Sequence, residues 1–153
     1  PKTVKSDCVV DISVDAVIPD KYISNTSNRI EAYKKIASLE TQDDVSDLLD
    51  ELIDRYGDVP ESVMGLIEIS LMRVQAASLG ITEIVQRKDT VIFYGSKFSQ
   101  INMTEFLKKT KFRIVINSAG KQYISAQIPV GGNSIDTMKS VLETLLECKD
   151  KDE

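Results

Sequence analysis

Residues 63–94 read VMGLIEISLMRVQAASLGITEIVQRKDTVIFY, and the change of pattern inside this stretch decides the fold class. Up to residue 79 the apolar side chains recur around most of a helical circumference, which predicts a helix buried on two sides. Gly80 then ends the helix, and the apolar residues on either side of the polar segment 87–90 predict a β-hairpin. The sequence therefore predicts an α+β protein in which a helical half precedes a β-rich half.

A strand and two more helices are predicted before this stretch. The strand is indicated by apolar residues at every second position, namely Val10, Ile12, Val14 and Ala16. The first helix is expected to end near Leu39 and to bury a face formed by Ile30, Tyr33 and Ala37. Thr41 and Asp44 resemble a capping box at the start of the second helix, and Gly57 ends it. Its apolar stripe is predicted to contain Val45, Leu48, Leu49, Leu52, Ile53 and Tyr56.

The elements after the first hairpin complete the expected fold. We predict a short helix over 103–109, a second hairpin with strands near 112–116 and 122–128, and a C-terminal helix capped by Ser134. The inward stripe of that helix is Ile135, Met138, Val141, Leu142 and Leu145. The expected architecture is an N-terminal strand, a layer of three amphipathic helices, two β-hairpins and a C-terminal helix in one compact domain.

The same patterns predict how the chain is divided. Residues 1–24 are expected to form a linker with the first strand, and residues 151–153 a frayed tail. Between them we expect one domain, 25–150, with a helical half at 25–80 and a β-rich half at 81–150.

The composition argues against an enzyme. The chain of 153 residues has no histidine, so the commonest general base and zinc ligand are missing. The phosphate-binding GxxxxGK[ST] motif is absent as well. Cys8 and Cys148 lie near opposite ends, which predicts two thiols without a disulfide in the cytoplasm, and no apolar run reaches the roughly 20 residues of a membrane span. We therefore expect no catalysis, cofactor or metal site in this chain.

Acidic residues concentrate on the second helix. The interval 43–58 holds seven acids and a single base, Arg55, although the net charge of the whole chain is only −5. Glu51, Asp54 and Arg55 are spaced by three and four residues, so a partner that carries arginines could pair with them; the alternative is a solvated helix face. Two neighbouring carboxylates could also serve acid–base or magnesium chemistry, but an exposed helix offers no pocket for it.

The β-rich half contains a mildly basic stretch. Its candidate residues are Lys108, Lys109, Lys111, Arg113 and Lys121. Basic side chains attract nucleic-acid phosphates, although domains that bind them are usually strongly basic, whereas this chain is acidic and lacks tryptophan. A surface that contacts nucleic acid or polymerase is therefore the alternative to a protein contact through the acidic helix.

Several segments carry a resemblance to a known family. They are DAVIPDKYI at 15–23, RIEAY at 29–33, ELIDRYGDVP at 51–60 and LGI at 79–81. Together they are similar to the C-terminal domain of the bacterial transcription-repair coupling factors, the Mfd proteins. The segment Glu-x-x-Asp-Arg-[Phe/Tyr]-Gly is specific to that family, and this chain has Tyr56 where phenylalanine is frequent. The resemblance covers about the first half of the chain.

The resemblance implies a role in a larger parent protein. Such a parent is an ATP-dependent DNA translocase that displaces stalled RNA polymerase and recruits nucleotide excision repair through UvrA, with ATP and magnesium bound in motor domains outside this chain. RNA polymerase and duplex DNA are implied to contact other parts of the parent. The terminal domain is implied to be autoinhibitory, because it packs against a UvrB-like N-terminal module of the same parent chain and covers the surface that UvrA would bind. By resemblance, these contacts fall on Glu51, Asp54 and Arg55.

Overall fold

The computed structural model describes residues 8–14 and 16–150; the predicted tail 151–153, the first seven residues of the predicted linker and Asp15 lie outside this part. The described residues form five α-helices and one five-stranded sheet, which confirms the predicted α+β class. The helices are α1 (Thr26–Ala37), α2 (Gln42–Tyr56), α3 (Glu61–Ser78), α4 (Met103–Lys109) and α5 (Ser134–Glu147). The strands are β1 (Val9–Asp11), β2 (Ile81–Arg87), β3 (Thr90–Gly95), β4 (Ile114–Asn117) and β5 (Tyr123–Gln127).

The chain groups into two compact units. We call Val14–Leu71 the helical unit, and residues 8–13 together with 72–150 the sheet unit. The boundary falls inside α3, so the first part of that helix belongs to the helical unit and the last part to the sheet unit. The domain boundaries expected at residues 24, 80 and 150 stay predictions.

The helical unit has its own apolar core. Its members come from α1, α2, the start of α3 and the segment before α1, and they are Ile18, Ile23, Ala32, Ile36, Leu39, Val45, Leu48, Leu52, Val63 and Ile67. A buried hydrogen bond from the Ser70 hydroxyl to the carbonyl of Ile36, 2.6 Å long, ties α3 to the end of α1. Because few polar groups are buried without such a partner, this bond helps to fix the register of the two helices.

The sheet unit is built on two hairpins and one parallel strand pair. The strand order is β1-β2-β3-β5-β4, with β1 parallel to β2 and every other neighbouring pair antiparallel. The turn at Lys88 and Asp89 joins β2 to β3, and Lys88 has a positive φ of 59° there. Both predicted hairpins are confirmed, and the β3–β5 pairing joins them into one sheet.

Helix α5 contacts β3 of the sheet and helix α4. The predicted stripe of α5 is confirmed for four of its residues, because Met138, Val141, Leu142 and Leu145 are fully buried. They share the core of the unit with other fully buried side chains, among them Phe93, Phe106 and Ile124. At about 25 cal/mol per Å² of buried apolar area, this core supplies most of the stabilisation of the unit.

Two details at the start of the chain differ from the prediction. Strand β1 ends at Asp11 and does not continue to Ala16, because the Ser13 N–H donates to the Gln86 side chain at 2.9 Å and leaves the ladder. On α1 the buried residues are Ala32 and Ile36, while the predicted face of Ile30, Tyr33 and Ala37 is exposed. Both sets have helical spacing, so periodicity alone could not choose between them.

Two helix details also differ. Ile53 was expected in the buried stripe of α2 but is 51% exposed, because it lies at the margin of the face formed by Val45, Leu48 and Leu52. On α5 the capping residue is Asn133 and not Ser134, since the Asn133 Oδ1 accepts the N–H of Asp136 at 2.8 Å. Ser134 is therefore the first residue of that helix.

Cys8 and Cys148 are thiols without a disulfide, as predicted, and both are buried. Burial raises the pKa of Cys8 to about 11 and also raises the pKa of Cys148, which keeps both thiols protonated near neutral pH. Among the described helices none combines the length and apolar character that crossing a membrane requires.

Candidate protein-interaction surface on the second helix

Both ends of α2 are fixed by local hydrogen bonds. At the start, the Thr41 hydroxyl accepts the N–H of Asp44 at 3.1 Å, and the Asp44 carboxylate accepts the N–H of Thr41 at 3.1 Å. This confirms the predicted capping box. At the other end Gly57 has a φ of 90° and its N–H donates to the carbonyl of Ile53, so the helix ends where the sequence predicts.

Glu51 lies at the centre of an ion-pair cluster that joins α2 to α1. Its Oε2 accepts a hydrogen bond from Lys35 Nζ at 2.6 Å and another from Arg55 Nη1 at 3.3 Å. Lys35 Nζ is also 4.0 Å from the carboxylate of Glu31. The hydrogen bond from Lys35 is the main cause of a lowered pKa at Glu51, which keeps this carboxylate charged.

Arg55 is held on its other side by an aromatic pair. Its guanidinium carbon lies 5.1 Å from the ring centroid of Tyr56, and this ring lies 5.7 Å from the ring of Tyr22. The Tyr22 hydroxyl donates to the carbonyl of Gly57 at 3.0 Å, just beyond the helix end. Arg55 and Glu51 are therefore held in place before any partner arrives.

Four aspartates form a row along the exposed face of α2. They are Asp43, Asp47, Asp50 and Asp54, spaced by four, three and four residues, and we call them the aspartate row. All four are exposed, and within the part of the chain that the structure describes none takes part in a salt bridge or a side-chain hydrogen bond. Ile53 is half exposed beside Asp54. The row is a set of uncompensated carboxylates next to a small apolar contact point.

The three residues predicted for the interface, Glu51, Asp54 and Arg55, have two different environments in the structure. The structure brings Glu51 and Arg55 together in one ion pair, whereas Asp54 belongs to the unpaired row. Sequence reasoning missed Lys35 and Tyr22, and no local signal could have found them, because both meet α2 only through tertiary packing. Among residues 8–14 and 16–150, no group of three acidic or cysteine side chains could hold a metal ion. The groups on this face can accept hydrogen bonds from a cationic partner.

The basic residues of the sheet unit lie in separate places. Lys109 Nζ is 3.5 Å from carboxylate oxygens of both Glu105 and Glu147. Lys121 pairs with Glu83 at 3.8 Å and lies 4.2 Å from the ring centroid of Tyr94. Lys111 and Arg113 line one groove, and Lys108 is exposed on α4. Two of the five predicted residues are therefore already neutralised within the unit.

The sequence of this chain is similar to a known protein family. The family model of the TRCF domain matches residues 12–107. The transcription-repair-coupling factor of Staphylococcus aureus (strain USA300) is 39% identical over 92 residues, which cover 60% of this chain and 8% of that protein. The one of Staphylococcus haemolyticus (strain JCSC1435) is 35% identical over 104 residues, covering 67% and 9%. The chain therefore spans less than a tenth of the length of these relatives.

A solved structure supports the same assignment over nearly the whole chain. It is a crystal structure of the C-terminal domain of a transcription-repair coupling factor, with a TM-score of 0.81, 25% sequence identity and 95% of each chain covered. This match includes the sheet unit, where the sequence resemblance was weak. The chain therefore belongs to the TRCF domain family, as the C-terminal domain of a transcription-repair coupling factor.

Proposed function

We propose that this domain keeps its parent protein in a closed resting state. Through Glu51, Asp54 and Arg55 it binds a UvrB-like N-terminal module of the same parent chain and covers the surface that UvrA would use. The parent is an ATP-dependent DNA translocase that displaces stalled RNA polymerase and then recruits nucleotide excision repair. The domain itself performs no chemistry; it opens when the parent engages polymerase and DNA.

The observation that carries this proposal is the aspartate row, which is unpaired within the described residues, whereas Glu51 and Arg55 on the same helix form an ion pair and Asp44 caps it. An exposed carboxylate without an internal partner can accept both hydrogen bonds of an arginine guanidinium, and such bidentate bonds are shorter and stronger than ordinary surface pairs. Asp54 is exposed next to Ile53, so a partner arginine that binds there also covers an apolar side chain. Charge attraction and apolar burial then act on the same contact.

Glu51 and Arg55 contribute to this contact as an ordered pair. Lys35 and Tyr56 restrict the two side chains on opposite sides of the pair, so they lose little conformational freedom when a partner binds. Each side chain still keeps more than a third of its surface exposed. We therefore assign Asp54 the main attraction for a cation, and Glu51 and Arg55 the orientation of the partner.

The contact should be weak enough to be reversed. Couplings between regulatory sites are typically about 1–3 kcal/mol, which changes an affinity by about 5- to 150-fold. A few charge-assisted hydrogen bonds that are partly shielded from water supply free energies of that size. A much tighter contact would hold the parent closed even when polymerase and DNA are bound.

The test is a charge reversal in the full-length parent. Asp54→Lys should raise the affinity for UvrA by about tenfold, within the range of regulatory couplings, because it replaces attraction with repulsion at the closed interface. Glu143→Lys is the matched control, since Glu143 is also an exposed helical acid without an ion pair in the described part of the chain. UvrA binding that stays unchanged in both Asp54→Lys and the double variant Glu51→Lys/Asp54→Lys would contradict the proposal.

A second candidate function is supported by the groove that contains Lys111 and Arg113. Neither residue has a carboxylate partner within the described residues, nor does the nearby Lys108. These cations could contact duplex DNA or polymerase in place of a protein module. Titration of this chain with duplex DNA separates the two functions: salt-sensitive binding that is lost in Lys108→Gln/Lys109→Gln/Arg113→Gln would favour the nucleic-acid role.

A further inference from the structure

The sheet unit contains a groove that the proposed interface does not use. Its lining comes from the β2–β3 turn, the residues just before β4, the end of β5 and the first residues of α5. Its volume of about 670 Å³ lies within the usual range of small-molecule sites, roughly 300–1,000 Å³. Two backbone hydrogen bonds fix its walls, Ile128 N–H to the Asp89 carbonyl at 2.7 Å and Gln127 N–H to the Arg113 carbonyl at 3.1 Å. The groove is therefore preformed.

Ser134 is the most informative residue of this groove. It is 97% buried, with a relative exposure of 3%, yet within the described residues its hydroxyl makes no hydrogen bond. No fully buried polar side-chain atom in this part of the chain lacks a partner, so the Ser134 oxygen keeps a small exposure to solvent, and Ser134 is one of the residues that line the groove. A polar group kept this close to the interior without a protein partner is suited to bind a ligand.

The same end of α5 offers further donors. The N–H groups of Ser134 and Ile135 precede the first intrahelical bond, and no acceptor within the described residues takes them. Asn133 caps the next N–H, that of Asp136, so only the first two are available. A helix of 14 residues directs its positive end here, which favours an anion.

The charges around the groove indicate what kind of anion fits. Lys88, Lys111 and Arg113 line it, and within the described residues none of them has a carboxylate partner; the one acid in the lining is Asp89. The lining thus carries two more positive than negative groups in a protein whose net charge is −5. A phosphomonoester, with a charge of about −1.5 to −2 at neutral pH, matches this balance better than a carboxylate.

The apolar part of the groove indicates what carries the phosphate. Phe112, Ile128 and Pro129 are among its lining residues, and Lys111 Nζ lies 5.9 Å from the centroid of the Phe112 ring. An aromatic ring and aliphatic neighbours provide a stacking surface for a flat base. We propose that this groove binds the phosphomonoester of a nucleotide, either free or at the 5′ end of a nucleic-acid strand. Ser134 and the N-terminus of α5 hold the phosphate, Arg113 and Lys111 neutralise it, and Phe112 contacts the base.

The binding test uses the ¹⁵N-labelled chain and two probes, inorganic phosphate and AMP, with chloride at matched ionic strength as the salt control. Saturable shifts are expected at the amides of Ser134, Ile135 and Arg113, with AMP binding more tightly than phosphate because it also contacts Phe112. No saturable shift at these amides up to about 10 mM of either probe, tenfold above a millimolar Kd, would overturn the proposal.

Variants of the lining identify the groups responsible. Arg113→Gln should weaken AMP binding about tenfold and Ser134→Ala about threefold, in the range of one charged and one neutral hydrogen bond. The matched control Lys139→Gln removes an exposed lysine of α5 that does not line the groove, and it should leave the Kd unchanged. Lys111→Gln, measured in parallel, replaces Arg113→Gln if the amide spectrum of that variant shows misfolding. Equal weakening by Lys139→Gln would mean nonspecific attraction and would overturn the site.

A pair of oligonucleotides distinguishes the two sources of the phosphate. Binding of AMP but not of a 5′-phosphorylated trinucleotide supports a free nucleotide, and tighter binding of the trinucleotide supports a strand end. The same trinucleotide with a 5′ hydroxyl should not bind. If it binds equally well, phosphodiesters suffice and the assignment to a phosphomonoester is wrong.

Discussion

Charged residues are numerous in both units, but the aspartate row of α2 differs from Lys109 and Lys121 of the sheet unit in the number of partners that the fold places nearby. The aspartate row has no side-chain partner in the described structure, whereas Lys109 is placed between two carboxylates and Lys121 between a carboxylate and a ring. The row is regular because one helix face repeats every three or four residues. The bases come from a helix, a loop and a hairpin, where no such period applies.

The number of charged residues in a region is therefore a poor guide to whether that region binds a charged partner. Exposed pairs such as Lys109 with Glu105 contribute little to stability, but they reduce the charge that a partner can use. An interface for a charged partner needs charges that the fold leaves uncompensated and holds in a fixed arrangement. The α2 face meets both conditions, because the aspartate row is uncompensated within the described residues and Lys35 and Tyr56 restrict Glu51 and Arg55 beside it.

Stability should change most when a buried apolar side chain of α2 is removed. Leu52 is 3% exposed in the core of the helical unit, so Leu52→Ala should lower the free energy of unfolding by about 2–5 kcal/mol. The row and the Glu51 cluster depend on this buried face. Urea unfolding followed by circular dichroism measures the loss, and a loss below about 1 kcal/mol would show that the site collapses around the smaller side chain.

Leu142→Ala in the sheet unit is the variant to compare with Leu52→Ala in the helical unit. Leu142 is fully buried in α5, and Leu142→Ala should cost a similar amount. Amide hydrogen exchange in the two variants then reports on each unit separately. Loss of protection confined to the mutated unit would mean that the two unfold independently, and equal loss in both would mean a single cooperative transition.

A second prediction separates the paired from the unpaired acids of α2. Glu51→Lys removes the bond to Lys35 and places a third cation beside Lys35 and Arg55, so it should cost about 0.5–1 kcal/mol. Asp54 has no side-chain partner among the described residues, and Asp54→Lys puts a lysine in the last helical turn, so stability should stay within about 0.5 kcal/mol of the original. Equal losses in urea unfolding would show that Asp54 has a structural role inside the domain.

The third prediction concerns pH. The hydrogen bond from Lys35 lowers the pKa of Glu51, so the resulting stabilisation is present above the ordinary glutamate pKa of about 4.3 and is lost as the pH falls through the lower folded value. Glu51→Gln removes this titration. The difference in unfolding free energy between the original chain and Glu51→Gln should be constant above about pH 5 and shrink toward acid. A difference that is independent of pH would rule out the ion pair as its source.

The smallest effect is expected at Lys109. Glu105 and Glu147 raise the pKa of Lys109, but its side chain is 43% exposed and solvent screens these ion pairs, so Lys109→Gln should lower the unfolding midpoint less than Glu51→Lys does. Lys108→Gln, which breaks no ion pair within residues 8–14 and 16–150, should leave the midpoint unchanged. Added salt should remove the difference between the two variants. A difference that persists in high salt would point to packing of the lysine stem.

The sequence predicted the elements of this fold better than their faces. Helix α4, the hairpins and the buried stripe of α5 follow from hydrophobic period and turn residues, and they appear where expected. The capping box of α2 is local as well and was predicted correctly. The prediction of the buried face of α1 was wrong. Helical spacing fits the observed set, Ala32 and Ile36, as well as the predicted set, Ile30, Tyr33 and Ala37, and only packing decides between them.

The candidate surface could be predicted only in part, because tertiary packing decides which of its charges are paired. The acids of α2 are visible in the sequence, but Lys35 comes from another helix and reaches Glu51 through the tertiary fold. Ser134 was read as a cap, since serine is common at that position, while Asn133 takes the role. Contacts between residues distant in sequence therefore decide which charges are satisfied.

The parallel pairing of β1 with β2 has a consequence for the order of folding. Val9 pairs with Glu83, so the chain segment between the two paired strands contains the whole helical unit. The helical unit itself is one continuous segment of the chain. The entropy of loop closure grows with the length of flexible chain between two partners, and a compact insert shortens that length. The helical unit should therefore collapse first, and docking of β1 should be a late step whose rate falls when the helical unit is destabilised.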